Sequence, residues 1–536
     1  MPALTQRSEA GPPGPPAHHG DPKVTHVPAV PAQRRTILVI CSLSLFMVSL
    51  DGTIVNVGLP SIQRGFHADV SGLQWVVDSY ILVIASLLIL SGSTGDRIGR
   101  RKMFQLGLVI FSAGSLLCSL APNLGLLIVF RMLQAVGGSM LSPNSLSIVS
   151  NTFTDAKERA VAIGIWGATF GVSAASGPIL GGLLVQSIGW RSIFWVNVPI
   201  GTAAWLLARR YLPESRAERP RTVDIPGQVL VIAFLASTTY AIIEAPRHGW
   251  ASVEILSLFA FAALALASFL AVERRVACPL IDLRFFRSPP FAGAAGIATL
   301  TFLTFSGFLF LNTLNLQEAR GYSPLMAGVL TLPATSVVAL VSPIAGRLVA
   351  RSGPRIPLAV AGVFLVSGSL VFSRMTQTTG YPVLALGYVC VGLGFGFVNP
   401  PITNTALAGM PRAQSGTASA ITACSRQFGS VLGVAIVGSL VSDRFSAALA
   451  PKLAALHVTG RRAQELLAGG AQLTARGPVG EVARSTFTLA THVGWDVAIG
   501  CGVGIVVLSL VTTGPRGQAT AAEVGAALGT DVVPVA

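Results

Sequence analysis

Long apolar stretches alternate with short polar breaks along the whole chain. Fourteen apolar segments stand out, at residues 37–60, 74–94, 103–121, 124–150, 160–185, 192–212, 226–244, 252–272, 291–317, 325–350, 356–375, 382–409, 416–441 and 492–513. Each is long enough to cross a hydrocarbon core of ~30 Å as a helix, the form in which a chain satisfies its own backbone hydrogen bonds in lipid. An even number of crossings puts both ends of the chain on one side. The pattern predicts an all-α polytopic membrane protein.

Composition agrees with this pattern. Of 536 residues, 52% are hydrophobic and 11% charged, and mean hydropathy is +0.67. The formal charge of +15 would suit a nucleic-acid partner only if it were clustered for that purpose. Instead, 24 of the basic residues fall in the tails and in the loops on the side of the N-terminus, among them Arg97, Arg100, Arg101, Lys102, Arg209, Arg210, Arg274, Arg347 and Arg412. The short loops opposite hold 5, and residues 443–491, read as a long extracytoplasmic loop, hold 6. Positive charge marks the cytoplasmic side, and long loops weigh little. Both termini are therefore expected in the cytoplasm, with no nucleic acid involved. The bias of 33 Arg over 4 Lys fits a GC-rich bacterial genome. Six scattered cysteines without a CxxC pair predict neither metal nor disulfides. Residues 1–35, rich in Pro, Gly and His, read as a disordered cytoplasmic tail without signal-peptide character.

A weak repeat divides the chain. Segments two and ten both end in tight basic turns, at 92–102 and 345–355. The implied domains are an N-terminal half at 36–212, a linker with two inserted transmembrane helices at 213–290, a C-terminal half at 291–515 and a second tail at 516–536. Internal repeats of this kind typify secondary transporters.

Candidate chemistry begins with Asp51. It lies fourteen residues into an apolar run, ~21 Å along a helix, where an ionisable group costs roughly 2.5–3.5 kcal/mol. Ser42, Ser49, Thr53 and Asn56 form a stripe expected to face a cavity, whereas Asp51 points the other way, toward a neighbouring helix. Arg131 in segment four is its natural partner. A buried guanidinium favours the ionised form of an adjacent carboxylate and burial opposes it, so the pair could load and release a proton or be static. Gln134 shares the face of Arg131. Asp78 is the second buried acid, a candidate for proton transfer or cation binding, with snorkelling toward water as the alternative. In segment five, Gly177-Pro178 marks a kink within a smooth glycine face. Asn399-Pro400-Pro401 predicts a helix break bordering a substrate site. Arg426 is the basic residue buried in the second half, suited to an anionic or carbonyl-rich substrate or to backbone carbonyls. Glu244, Glu318, Asp224 and Asp282 read as interfacial. No phosphate-binding loop, mid-membrane histidine or catalytic carboxylate pair occurs, so an enzyme is not expected.

Several motifs in order resemble the major facilitator superfamily, in particular its fourteen-helix drug:proton antiporter branch. Leu50 to Pro60 matches that branch's first-helix motif, with Gly58 for Ala. Gly92 to Lys102 matches its G-x-L-x-D-R-x-G-R loop, with Thr94 for Leu. Arg131 to Gly137 and Gly177 to Gly182 match the fourth-helix and antiporter motifs. Gly189 to Gly201, Pro279 to Leu283 and Gly321 to Pro324 also fit.

The resemblance implies two six-helix halves plus two inserted helices, fourteen in all, working by alternating access. Asp51 and Arg131 would couple protons, with Asp78 a further acid. Thr53, Asn56, Gln134, Asn399 and Arg426 would contact substrate. Gly92, Asp96, Arg97, Gly99 and Arg100 would form the cytoplasmic gate, Asp96 lying at the start of segment thirteen near Gly416. Gly177 and Pro178 would be the antiporter hinge. The expected activity is export of amphipathic drugs or antibiotics, with self-resistance to a polyketide-like compound as one form. The energy source would be the proton gradient, without a cofactor, in a monomer of the bacterial inner membrane. A proton-coupled importer, and less so a sensor or scaffold, remain alternatives.

Overall fold

A computed structural model describes residues 31–216, 224–276, 279–408, 410, 415–458, 463, 467 and 477–530. The described residues form helices joined by short turns and non-helical stretches such as 212–216 and 279–282. The first group is α1 (Pro31–Phe66), α2 (Val70–Ile98), α3 (Arg100–Leu120), α4 (Leu124–Thr152), α5 (Ala156–Ser187), α6 (Ser192–Trp195) and α7 (Asn197–Tyr211). A hairpin follows, α8 (Ile225–His248) and α9 (Val253–Glu273). The last group is α10 (Pro289–Leu314), α11 (Pro324–Leu330), α12 (Leu332–Ser352), α13 (Arg355–Ser373), α14 (Tyr381–Leu407), α15 (Ser415–Ala455), α16 (Pro478–Thr512) and α17 (Pro515–Thr530). Polar residues placed at the turns start several of these helices. Asp69, Asn123, Asp224, Ser252 and Ser323 each accept a hydrogen bond from a first-turn N–H, which satisfies a donor the helix itself cannot.

Thirteen helices among the described residues are long and apolar enough to cross a membrane. The expected fourteenth, residues 192–212, is present but divided into α6 and α7. Pro199 lacks the N–H that would bond the Trp195 carbonyl, and the helix is interrupted at Val196. Four other expectations change. Residues 442–455 continue α15, because Phe445, Leu449 and Leu453 recur at helical spacing and are buried, Phe445 against Phe487 at 5.6 Å. With α16 starting at Pro478, the interval between these two long helices is 456–477 rather than 443–491. The second tail, expected at 516–536, is helical as far as Thr530 and forms α17. Helix α14 runs unbroken through Pro400-Pro401, since proline's fixed φ suits a helix and only two N–H donors are lost. Of the tail expected at 1–35, residues 31–35 instead begin α1, and residues 1–30, like Arg412 and Cys278, lie outside the described residues.

The two groups repeat the same packing plan. Helix α1 packs on α5 as α10 packs on α15; α2 and α3 pack on α4 as α12 and α13 pack on α14; α3 packs on α7 as α13 packs on α16. The α8–α9 hairpin stands outside this plan, with α8 wedged against α2 and α15.

Call the side where α1 begins the tail side, and the opposite one the far side. Bonds between the two halves cluster at the far side. The Gln74 side chain donates to the carbonyls of Val434 and Ala435, at 3.1 and 2.9 Å, and Gln317 donates to the Val57 carbonyl at 3.0 Å. Gly182 of α5 lies so close to Pro324 and Leu325 that a Cβ there would collide with their backbone. Toward the tail side, α5 is exposed on most of its circumference from Val161 to Val172, and Gly164, Gly167 and Gly171 face open space. The halves thus meet at the far side and part toward the tail side.

Candidate functional site

Asp51 of α1 is fully buried inside the first half, facing neighbouring helices rather than a cavity. Three side chains donate to it. Arg131 Nη1 lies 2.5 Å from Oδ2, and Gln134 Nε2 and Asn197 Nδ2 each lie 2.8 Å from Oδ1. Arg131, 1% exposed, also donates from Nη1 to Gln134 Oε1 at 2.9 Å and from Nε to the Val76 carbonyl at 3.3 Å. Its guanidinium carbon lies 4.0 Å from the centre of the Tyr80 ring. Asn197 donates in turn to Ser115, whose hydroxyl donates to the Phe194 carbonyl at 2.8 Å. Five helices therefore converge on one ion pair. A buried pair is tolerable when its remaining donors and acceptors are met, and here the Asp51 carboxylate is held by charge-assisted bonds on both oxygens.

Two features of this network differ from expectation. Gln134, expected on a cavity wall, is fully buried as a direct partner of Asp51, because it lies one turn from Arg131 on the same face. Asn197 was legible only as part of a motif. It enters the site because α7 restarts there after the break at Val196; a lone Asn within an apolar segment was the available signal.

Asp78 is also fully buried, and neither carboxylate oxygen has a hydrogen-bond partner. It therefore does not snorkel to water. It lies one turn along α2 from Gln74, the residue that crosses to α15. Thr53 and Asn56 are 7% and 4% exposed, closed off in this conformation. A Cβ on Gly177 would strike the Thr53 side chain, so α1 and α5 touch there. Helix α5 continues through Pro178.

In the second half, Arg426 is partly exposed. Its Nη2 donates to Thr403 at 3.1 Å, and its guanidinium lies 5.6 Å from the Phe302 ring centre. Asn399, partly buried, donates to the Phe395 carbonyl at 3.5 Å. Arg426, Thr403 and Phe302 bring α15, α14 and α10 together.

The basic turn ends α2 on the tail side. Gly99 has φ of +121°, a conformation suited to glycine. Asp96 and Arg100 pair at 2.7 Å, Gly92 packs against Pro143, and Arg97 follows in the same turn. Glu214 closes over the turn by accepting from the Arg101 N–H at 3.2 Å. The expected approach of Asp96 to Gly416 involves side chains outside the described residues.

Three acids expected at the interface, Glu244, Glu318 and Asp224, are buried instead. Glu244 is 6% exposed and accepts from Trp75 and Ser71, at 2.9 and 3.1 Å. Glu318 is 2% exposed. Asp224 caps α8, and Asp282 pairs with Arg284 at 2.9 Å.

Comparison with known proteins decides what this architecture is. Residues 41–434 match the Major Facilitator Superfamily. The chain belongs to the major facilitator superfamily. It is similar to the multidrug resistance protein Stp of Mycobacterium tuberculosis, with 40% identity over 78% of this chain and 77% of that one. It is also similar to the tetracenomycin C resistance and export protein of Streptomyces glaucescens, with 34% identity over 92% and 93%. Among solved structures it resembles a bacterial homologue of the lysosomal transporter Spinster, crystallised in an inward-facing conformation. Identity there is 17%, the TM-score 0.63 and coverage 93% of this chain and 99% of that one. At that identity the likeness shows the fold. The protein is thus a multi-pass membrane protein of a transporter family.

Proposed function

We propose that the protein is a proton-coupled antiporter that exports amphipathic drugs or antibiotics from the cytoplasm by alternating access. The observation that carries the coupling is the buried Asp51–Arg131 pair, which ties four helices of one half to α1 at the depth where the halves must rearrange. Export is supported by relatives named for multidrug resistance and for tetracenomycin C and methylenomycin A resistance. The tail side is the cytoplasm in this reading, because the basic residues of the tails and loops concentrate there. The structure is then the form that receives substrate from inside. Arg426, with Thr403 and Phe302, is the anchor for an acidic or carbonyl-rich aromatic substrate, and Asn399 lies on the same wall. Asp96, Arg97 and Arg100 form the inner gate, while Gly177 and Pro178 let α5 pivot against α1. The protein works as a monomer in the inner membrane, with the proton gradient as sole energy source.

The test is accumulation of a panel of amphipathic antibiotics and dyes in cells making the protein. Lower accumulation that a protonophore abolishes supports the reading. Higher accumulation at an imposed inward proton gradient would support import instead.

A further inference from the structure

The far face carries a polar pocket that the coupling pair does not use. Its volume is about 520 Å³, and it is lined by Arg64, residues 317–324 and Arg484. At its base the chain leaves α10 through a π-helical turn, Asn315–Ala319, a distortion that often marks functional sites. The turn places Glu318 with its side chain 1% exposed, and neither carboxylate oxygen receives a hydrogen bond. The nearest charge is Arg64 of α1, at 3.5 Å, and that guanidinium is 44% exposed. Arg64 belongs to the first half and Glu318 to the second, so the contact crosses the closed far-side seam.

Three other titratable groups line the pocket. Arg484 comes from α16, and Arg320 and Tyr322 follow the turn; α11 contributes none. Arg320 is occupied by the carbonyls of Thr376 and Thr379, at 2.6 and 2.8 Å, and by Asn315. The residue beside Glu318, Gln317, makes the seam bond to Val57.

We propose that Glu318 is a proton-binding residue of the far-side gate, loaded from the far side through this pocket, whose protonation favours gate closure. Closing the seam takes the carboxylate out of water without supplying a hydrogen-bond donor. A partly exposed ion pair returns little, and burying an ionised carboxylate is costly. Neutralising Glu318 removes that cost. A proton from the external water binds one Glu318 oxygen, Arg64 turns to solvent, and the seam closes over a neutral acid. When the gate opens, water re-enters and the acid can ionise. In an exporter this order is useful: substrate leaves, a proton arrives from outside, and the empty carrier resets. The directional part rests on the antiport reading; the proton-linked closure does not.

The closing experiment needs neither substrate nor gradient. Spin labels are attached to cysteines at His67→Cys and Thr378→Cys, on the full chain with its native cysteines replaced, in lipid nanodiscs. Far-side distances are read between about pH 5.5 and 8.5, the range in which a perturbed carboxylate titrates. The parent should shift toward longer distances as pH rises. Glu318→Gln, a neutral isostere, should stay at the short distance throughout. A parent that ignores pH, or a Glu318→Gln variant that follows pH like the parent, would overturn the proposal. Neither result bears on Asp51, so failure here and failure of the antiport reading are distinguishable.

Discussion

Asp51, Arg131, Gln134 and Asn197 form a network in which each member has a separable contribution. Asp51→Asn keeps the shape of the site but removes the charge that Arg131 faces. Proton-coupled transport should fall to background while the protein still reaches the membrane, as measured by vesicle transport against immunoblotted protein. Arg131→Lys should not rescue Arg131→Ala, because an ammonium cannot reproduce donation to Asp51, Gln134 and the Val76 carbonyl from one planar group. Asn197→Ala leaves Asp51 two donors instead of three. A loss of about 1–3 kcal/mol is expected from an abandoned buried hydrogen bond, visible as a lower melting temperature in detergent. Asp51 and Arg131 were legible in the sequence because charge deep in an apolar run is costly and therefore conspicuous. Gln134 and Asn197 were less so. Neutral amides cost little to place in a segment, and their role depends on which helix they meet.

At the scale of elements, α5 is the hinge candidate that the packing defines best. Its Gly177, Gly181 and Gly182 carry no side chain, so α1 and α11 come into backbone contact with it. Gly182→Val would drive a branched side chain into Leu325 and wedge the far-side seam open. Transport should be lost, and far-side thiol accessibility should rise relative to the parent. The inserted hairpin is tied to the first half at both ends of α8. Gln228 donates to the Ser86 carbonyl, and Glu244 accepts from Trp75 and Ser71. Glu244→Ala should free α8 from α2 and lower stability by about 1–3 kcal/mol through the orphaned Trp75 and Ser71 donors. An unchanged melting temperature would show that the hairpin is held by its apolar contacts instead. Helix positions were readable from hydrophobic length alone, whereas element ends were not. Residues 442–455 resembled a loop because their polar positions interrupt the run, although their apolar period is helical. Pro400-Pro401 resembled a break because local propensity ignores the neighbours that support α14. Segment six concealed the interruption at Val196, since Pro199 signals only the loss of one donor.

For the whole molecule, the repeated packing plan explains how one chain can open to either side. Each half is a closed set of helix pairs, and the two sets touch through a limited seam at the far side. The partition into halves could be read from two similar basic turns, 92–102 and 345–355. The conformation could not, because sequence does not say which seam is closed. Orientation can be tested independently: a reporter fused after residue 530 should be accessible only from the cytoplasm if positive charge has set the topology.

The most direct measurement is proton movement itself. Inverted membrane vesicles carrying the protein are given an inside-acid gradient, and amphipathic antibiotics are added one at a time, with Asp51→Asn vesicles in parallel. The expected result is substrate-dependent loss of the gradient that disappears in Asp51→Asn. Equal gradient loss in the parent and in Asp51→Asn would contradict proton coupling at the Asp51–Arg131 pair.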